Sequence, residues 1–136
     1  MAVAGTIASR PAREQWPAQE AIAMGDVTVA GFADTADTRE FQDGSRRQTL
    51  DLPSMQVGRG VYRPGWRWSL HAGPQTGVPS AAHIGYVESG RMAVRGPDGR
   101  EVTVGPGEAF EAAPGHDAWV LGDQPCVALD FWPRER

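Results

Sequence analysis

Lysine is absent from this sequence: all thirteen basic residues are arginine, and the formal net charge is −4. A nucleic-acid surface needs a clustered basic excess, which scattered arginines in an acidic chain do not supply. Cysteine is nearly absent too, Cys126 being the only one, so an intrachain disulfide and a Cys-rich zinc site are both excluded. Its setting, QPCVALDF, reads as a buried strand with an inert thiol. No run of eighteen apolar residues exists, and the amino terminus lacks the basic-then-apolar pattern of a signal peptide. The expectation is a soluble cytoplasmic protein that acts on neither nucleic acid nor membrane. No G-x-S-x-G elbow is present, and the glycines of GRGVYRPG lead to no helix, which argues against nucleophilic hydrolysis and phosphate-loop chemistry.

Long helix-forming stretches are also lacking, while glycine (17) and proline (11) are abundant without a fixed period. That balance favours short strands joined by turns. At 136 residues one domain is expected, large enough to bury roughly two-thirds of its unfolded surface. Residues 1–24 mix Ala, Pro and charge and read as a mobile tail, with Trp16 the one residue there suited to docking. Residues 25–136 read as the folded domain. Within it, DVTVAGF alternates like a strand and ADTADTREFQDGSRR reads as a loop or short helical turn. Strands are expected near Thr49 to Leu52 and from Met55 to Tyr62, and WRWSLH is strand-like. From His83 onward the chain reads as a meander, with Pro97-Asp98-Gly99 the clearest hairpin turn. Turn signals about every 8 to 12 residues imply an antiparallel sandwich or barrel, so the fold class is all-β.

Two stretches carry all the histidines. Gly65 is followed by five residues and then His71, and His83 by six residues and then Gly90. Later, Gly107 is followed by five residues and then Ala113, Pro114, Gly115, His116, Asp117 and Ala118. This pattern resembles the two motifs of the cupin superfamily, G-x5-H-x-H, a short gap, E-x6-G, and G-x5-P-x-G-x2-H-x3-N. The resemblance implies a single-domain cupin jelly-roll β-barrel. Cupins that bind metal commonly use the histidines and glutamate of these motifs. Here His71 keeps the first place, Gly73 takes the second, and His83 stands where glutamate is expected after a lengthened gap. Ala118 takes the last histidine place, with His116 two positions earlier on the same strand face.

Two readings of the histidines follow. In one, His71, His83 and His116 converge on a divalent ion, for which Zn, Fe, Ni, Mn and Cu are all compatible with imidazole. In the other they line a metal-free pocket. Arg67 shares strand parity with His71 and is a candidate to grip an anionic ligand in the cavity. Asp130, between Leu129 and Phe131, either orients an imidazole from behind or faces outward. Glu88 alternates to the face opposite His83, and Asp117 reads as solvent-facing. Trp66 and Trp68 read as an outer layer where two barrels pack, giving a homodimer. The resemblance implies a small polar or carboxylated metabolite as ligand. The protein is then either a metal-dependent isomerase, lyase or dioxygenase, or a non-catalytic binding or sensing module, and fold analogy cannot separate these.

Overall fold

The computed structural model describes residues 27–34 and 37–134; the expectations for the tail and Trp16 lie outside these. Nine strands follow in chain order: β1 (Asp37–Glu40), β2 (Arg46–Asp51), β3 (Met55–Tyr62), β4 (His83–Ser89), β5 (Arg91–Arg95), β6 (Glu101–Val104), β7 (Ala109–Ala112), β8 (Asp117–Leu121) and β9 (Cys126–Pro133). All pair antiparallel. They form a six-stranded sheet in the order β1-β2-β3-β9-β4-β7 and a three-stranded sheet in the order β6-β5-β8. Among the described residues, no helix is long and apolar enough to cross a membrane.

Strict alternation builds the interior. Along β9, Cys126, Ala128 and Asp130 are buried while Val127, Leu129 and Phe131 are only partly so, as a period of two requires for a sheet with one covered face. Val87 of β4, Met92 and Val94 of β5 and Val120 of β8 meet these residues in one core with Phe41, Tyr62 and Trp66. Each such side chain contributes about 1.5–3 kcal/mol when fully buried. Cys126 is fully buried, and burial pushes its thiol up to about 11, which leaves it unreactive.

Three local expectations are corrected. Val27 and Val29 do not form a strand; they are 99% and 90% exposed. The polar segment read as a loop instead supplies edge strand β1, where Arg39 pairs with Arg47 in register; pairing along β2 outweighs its poor β propensity. WRWSLH is not a strand beyond Arg67, which bridges Trp119. A π-helical turn, Trp68–Ala72, follows, and then α1 (Gly73–Thr76), which ends at Gly77 with φ 75°. Side chains drive that turn. Asp117 accepts from the Ser69 backbone N–H at 3.0 Å and the Ser69 hydroxyl at 2.8 Å, while His71 Nδ1 accepts from the Arg67 N–H at 3.0 Å. These bonds give the backbone an alternative to a ladder.

The proposed outer tryptophan layer is also corrected. Trp66 is 2% exposed and packs in the core, 4.3 Å from the Tyr62 ring and 5.9 Å from Phe41. Trp68 packs against the same core. The bend after Arg67 breaks the parity on which an outward reading depended.

Candidate functional site

A cavity of about 740 Å³ opens between the sheets, and its walls include Arg47, Trp68, His83, Phe110, His116 and Trp132. Its floor is set by Asp130, which lies opposite Gly58 on β3 and Gly85 on β4. Both glycines yield their side-chain space to the site. A Cβ at Gly58 would lie 2.9 Å from the Trp132 ring, and one at Gly85 would lie 3.0 Å from Asp130 Oδ1 as well as meeting Phe110. The carboxylate thus sits in a trough between two rings.

His83 opens β4, and its Nε2 lies 3.1 Å from Asp130 Oδ1. Its Nδ1 lies 3.2 Å from the Ala81 carbonyl. Both partners are acceptors, an arrangement that favours a proton on each ring nitrogen and so the imidazolium form. Burial alone would lower the His83 pKa, but the hydrogen bond and charge of Asp130, with the Ala81 carbonyl, outweigh it and raise the pKa overall.

His116 reaches the cavity from the Pro114-Gly115 turn. Gly115, at φ 83°, donates to the Ser80 carbonyl at 2.9 Å, which fixes the turn against the facing loop. His116 Nδ1 donates to the Ala113 carbonyl at 2.8 Å and lies 3.2 Å from Ser80 Oγ, whose own proton goes to the His116 carbonyl at 2.6 Å. The remaining nitrogen, Nε2, keeps its lone pair. Burial, and then the neighbouring His83 charge, lower the His116 pKa despite the Ala113 bond. The two imidazoles, one with its pKa raised and the other with its pKa lowered, have centroids 5.0 Å apart.

Arg47 of β2 completes the site, and the sequence reading passed over it. Its Nε donates to the Tyr62 hydroxyl at 3.1 Å, and its guanidinium lies 5.6 Å from the centres of the Phe41 and Trp132 rings. Trp132 in turn lies 5.5 Å from His83. Burial opposes the Arg47 charge, but Tyr62 and Asp130 outweigh that and raise its pKa, so it stays cationic. Tyr62, pushed up to about 12 by burial, stays a neutral phenol. The period of two placed Arg47 beside Thr49, a signal no different from that of a solvated arginine.

The residues do not fit a three-imidazole metal centre. His83 and His116 come together; His71 does not join them, because its ring is turned onto its own π-helical turn. His83 has no free lone pair while it bridges Asp130 and Ala81. Among the described residues, no group of three or more His, Cys, Asp or Glu side chains is placed to hold a metal ion. The divalent-ion set His71, His83 and His116 is therefore not assembled.

Arg67 is likewise not a cavity residue. Its Nε donates to Asp117 Oδ2 at 3.0 Å and its guanidinium lies 4.1 Å over Trp119, held there by the Arg67 to Trp119 bridge. Asp117 is not a bare solvent-facing acid: burial would raise its pKa, but bonds from Ser69 and Arg67 lower it overall. Glu88 faces out, 3.4 Å from Arg59.

No protein-family model matches the sequence, and no curated protein matches it. Solved structures do resemble the fold. KdgF from Halomonas sp. is 24% identical with a TM-score of 0.57, over 79% of this chain and 96% of that one. An RmlC-like cupin from Shewanella frigidimarina is 19% identical with a TM-score of 0.56, over 78% of this chain and 90% of that one. A cupin-superfamily sugar phosphate isomerase from Silicibacter pomeroyi is 18% identical with a TM-score of 0.55, over 76% of this chain and 74% of that one. The chain has the cupin jelly-roll fold.

Proposed function

We propose that this cupin binds a small carboxylated metabolite in the barrel cavity, with Arg47 holding the carboxylate. One observation carries the proposal. Arg39, Arg47 and Arg134, joined by a His83 whose pKa is raised, place more positive than negative charge on the cavity wall, against Asp37 and Asp130. A low-dielectric chamber with surplus positive charge favours an anion. The guanidinium fork matches a carboxylate, and Nε, already given to Tyr62, aligns the plane. The walls of Trp68, Phe110 and Trp132 suit an apolar or ring-shaped body. A divalent ion is not part of this reading, because His71 is turned away from the His83 and His116 pair.

Calorimetric titration with phenylpyruvate and 2-oxoglutarate, each beside its neutral methyl ester, tests the proposal. The acids should bind at least tenfold more tightly than the esters, and Arg47→Gln should abolish the difference. Equal binding of acid and ester, or no binding of either acid, overturns it.

A further inference from the structure

Resting on the carboxylate reading above, we infer that His116 Nε2 is a general base that removes a proton from a carbon next to a carbonyl of the bound acid.

The geometry sets this role apart from simple binding. His116 Nδ1 is committed to Ala113, with Ser80 beside it, so the tautomer is fixed with the lone pair on Nε2. That atom has no hydrogen-bond partner among the described residues, yet it is not among the buried unsatisfied atoms; it is therefore open to the cavity that His116 lines. A fixed and reachable acceptor, held without a protein donor, is what a base needs before its substrate arrives. A purely structural histidine has both nitrogens satisfied or its ring packed away, as His71 folds back on Arg67.

Its surroundings supply the remaining parts. Arg47, Trp132, His83 and His116 form a ladder across the chamber: the guanidinium lies over Trp132, Trp132 packs on His83, and His83 lies beside His116. A ligand held at Arg47 by its carboxylate extends along this ladder towards His116. When Nε2 takes the C–H proton, that electron pair forms a C=C bond and the carbonyl π pair moves onto oxygen. The developing enolate is stabilised by the His83 cation, whose charge the protein holds in place before reaction. When the Nε2 proton is replaced by a solvent deuteron before delivery back to the same carbon, the result is exchange. Delivery to the oxygen gives the enol, or to a carbon further along a conjugated substrate an isomer. No oxidant, reductant or second substrate is consumed.

The experiment follows loss of the C3 proton signal of phenylpyruvate and 2-oxoglutarate in deuterium oxide by NMR, with binding measured in parallel by calorimetry. The full-length protein should accelerate exchange a hundredfold or more over equimolar free imidazole, within the usual range for a positioned base. His116→Gln should lose that acceleration while binding the acids within about threefold of wild type. His83→Gln should bind the acids more weakly and, at saturating acid, still exchange more slowly than wild type. Binding without accelerated exchange, or exchange undiminished in His116→Gln, overturns the base assignment and leaves the carboxylate reading standing. Absence of binding overturns both.

Discussion

His83 Nε2 and Asp130 Oδ1 lie 3.1 Å apart on neighbouring strands, inside a barrel where the two side chains are only 11% and 8% exposed. This pair raises the His83 pKa, while burial first, and then the His83 charge, lower that of the adjacent His116. Removing one partner of such a pair leaves the other to neutralise or to stay buried at high cost.

Asp130→Asn should therefore drop the His83 pKa below the ordinary histidine value of about 6.5. The raising influences of the Asp130 bond and charge disappear, while burial, the largest influence, and the Arg47 charge, both lowering, remain against only the Ala81 carbonyl bond. An NMR titration of the ring C2 protons reads this directly, and an unchanged His83 midpoint would show that the carboxylate is not its cause.

Stability should depend on pH through the same pair. A group whose pKa is raised on folding stabilises fully below its unfolded value, about 6.5, and that stabilisation fades as pH climbs through the folded value. The difference in urea midpoint between wild type and His83→Gln should thus be largest near pH 6 and shrink above neutrality. His116 acts with the opposite sign, since its lowered pKa costs stability as pH falls below about 6.5. A difference that grows with pH would contradict the assignment of charge to His83.

Gly85→Ala should destabilise the barrel by about 1–3 kcal/mol, the usual cost of overpacking, because the added methyl meets Phe110 and approaches Asp130 Oδ1 at 3.0 Å. Carboxylate binding should weaken with it, as the trough that seats Asp130 narrows. Chemical denaturation and calorimetry check both. Full stability in this variant would mean that Phe110 swings away freely.

Trp66→Phe should cost less than its buried area suggests. Among the described residues the buried indole Nε1 has no hydrogen-bond partner, a penalty of about 1–3 kcal/mol that phenylalanine does not carry. We expect this variant within about 1 kcal/mol of wild type in denaturant titrations, against the 3–5 kcal/mol typical of Trp→Ala.

Arg67→Ala should leave acid binding intact and cost about 1 kcal/mol or less, as partly exposed pairs do, because its partners are Asp117 and Trp119 outside the cavity. Loss of binding in this variant would restore Arg67 to the site.

The two histidines that meet were legible because strand alternation and a Pro-Gly turn are local signals: His83 begins an alternating strand, and His116 follows Gly115. His71 was misplaced because its orientation is decided at long range. Asp117, 48 positions further along the chain, captures Ser69 and turns a strand-like aromatic run into a π-helical turn. Arg47 went unread for a related reason. Nothing in RRQTLD separates an arginine facing solvent from one facing a chamber whose far wall is Trp132.

The amino-acid order by itself determined the all-β architecture, the approximate strand and turn positions from Met55 to Tyr62 and from His83 onward, and the inert buried cysteine, since backbone propensity and a two-residue hydrophobic period act between near neighbours. Only the tertiary structure decided which polar groups share the interior. Charge state, tautomer and lone-pair availability at His83, Asp130, His116 and Arg47 arise from partners on separate strands, and those distances exist only once the sheets have closed.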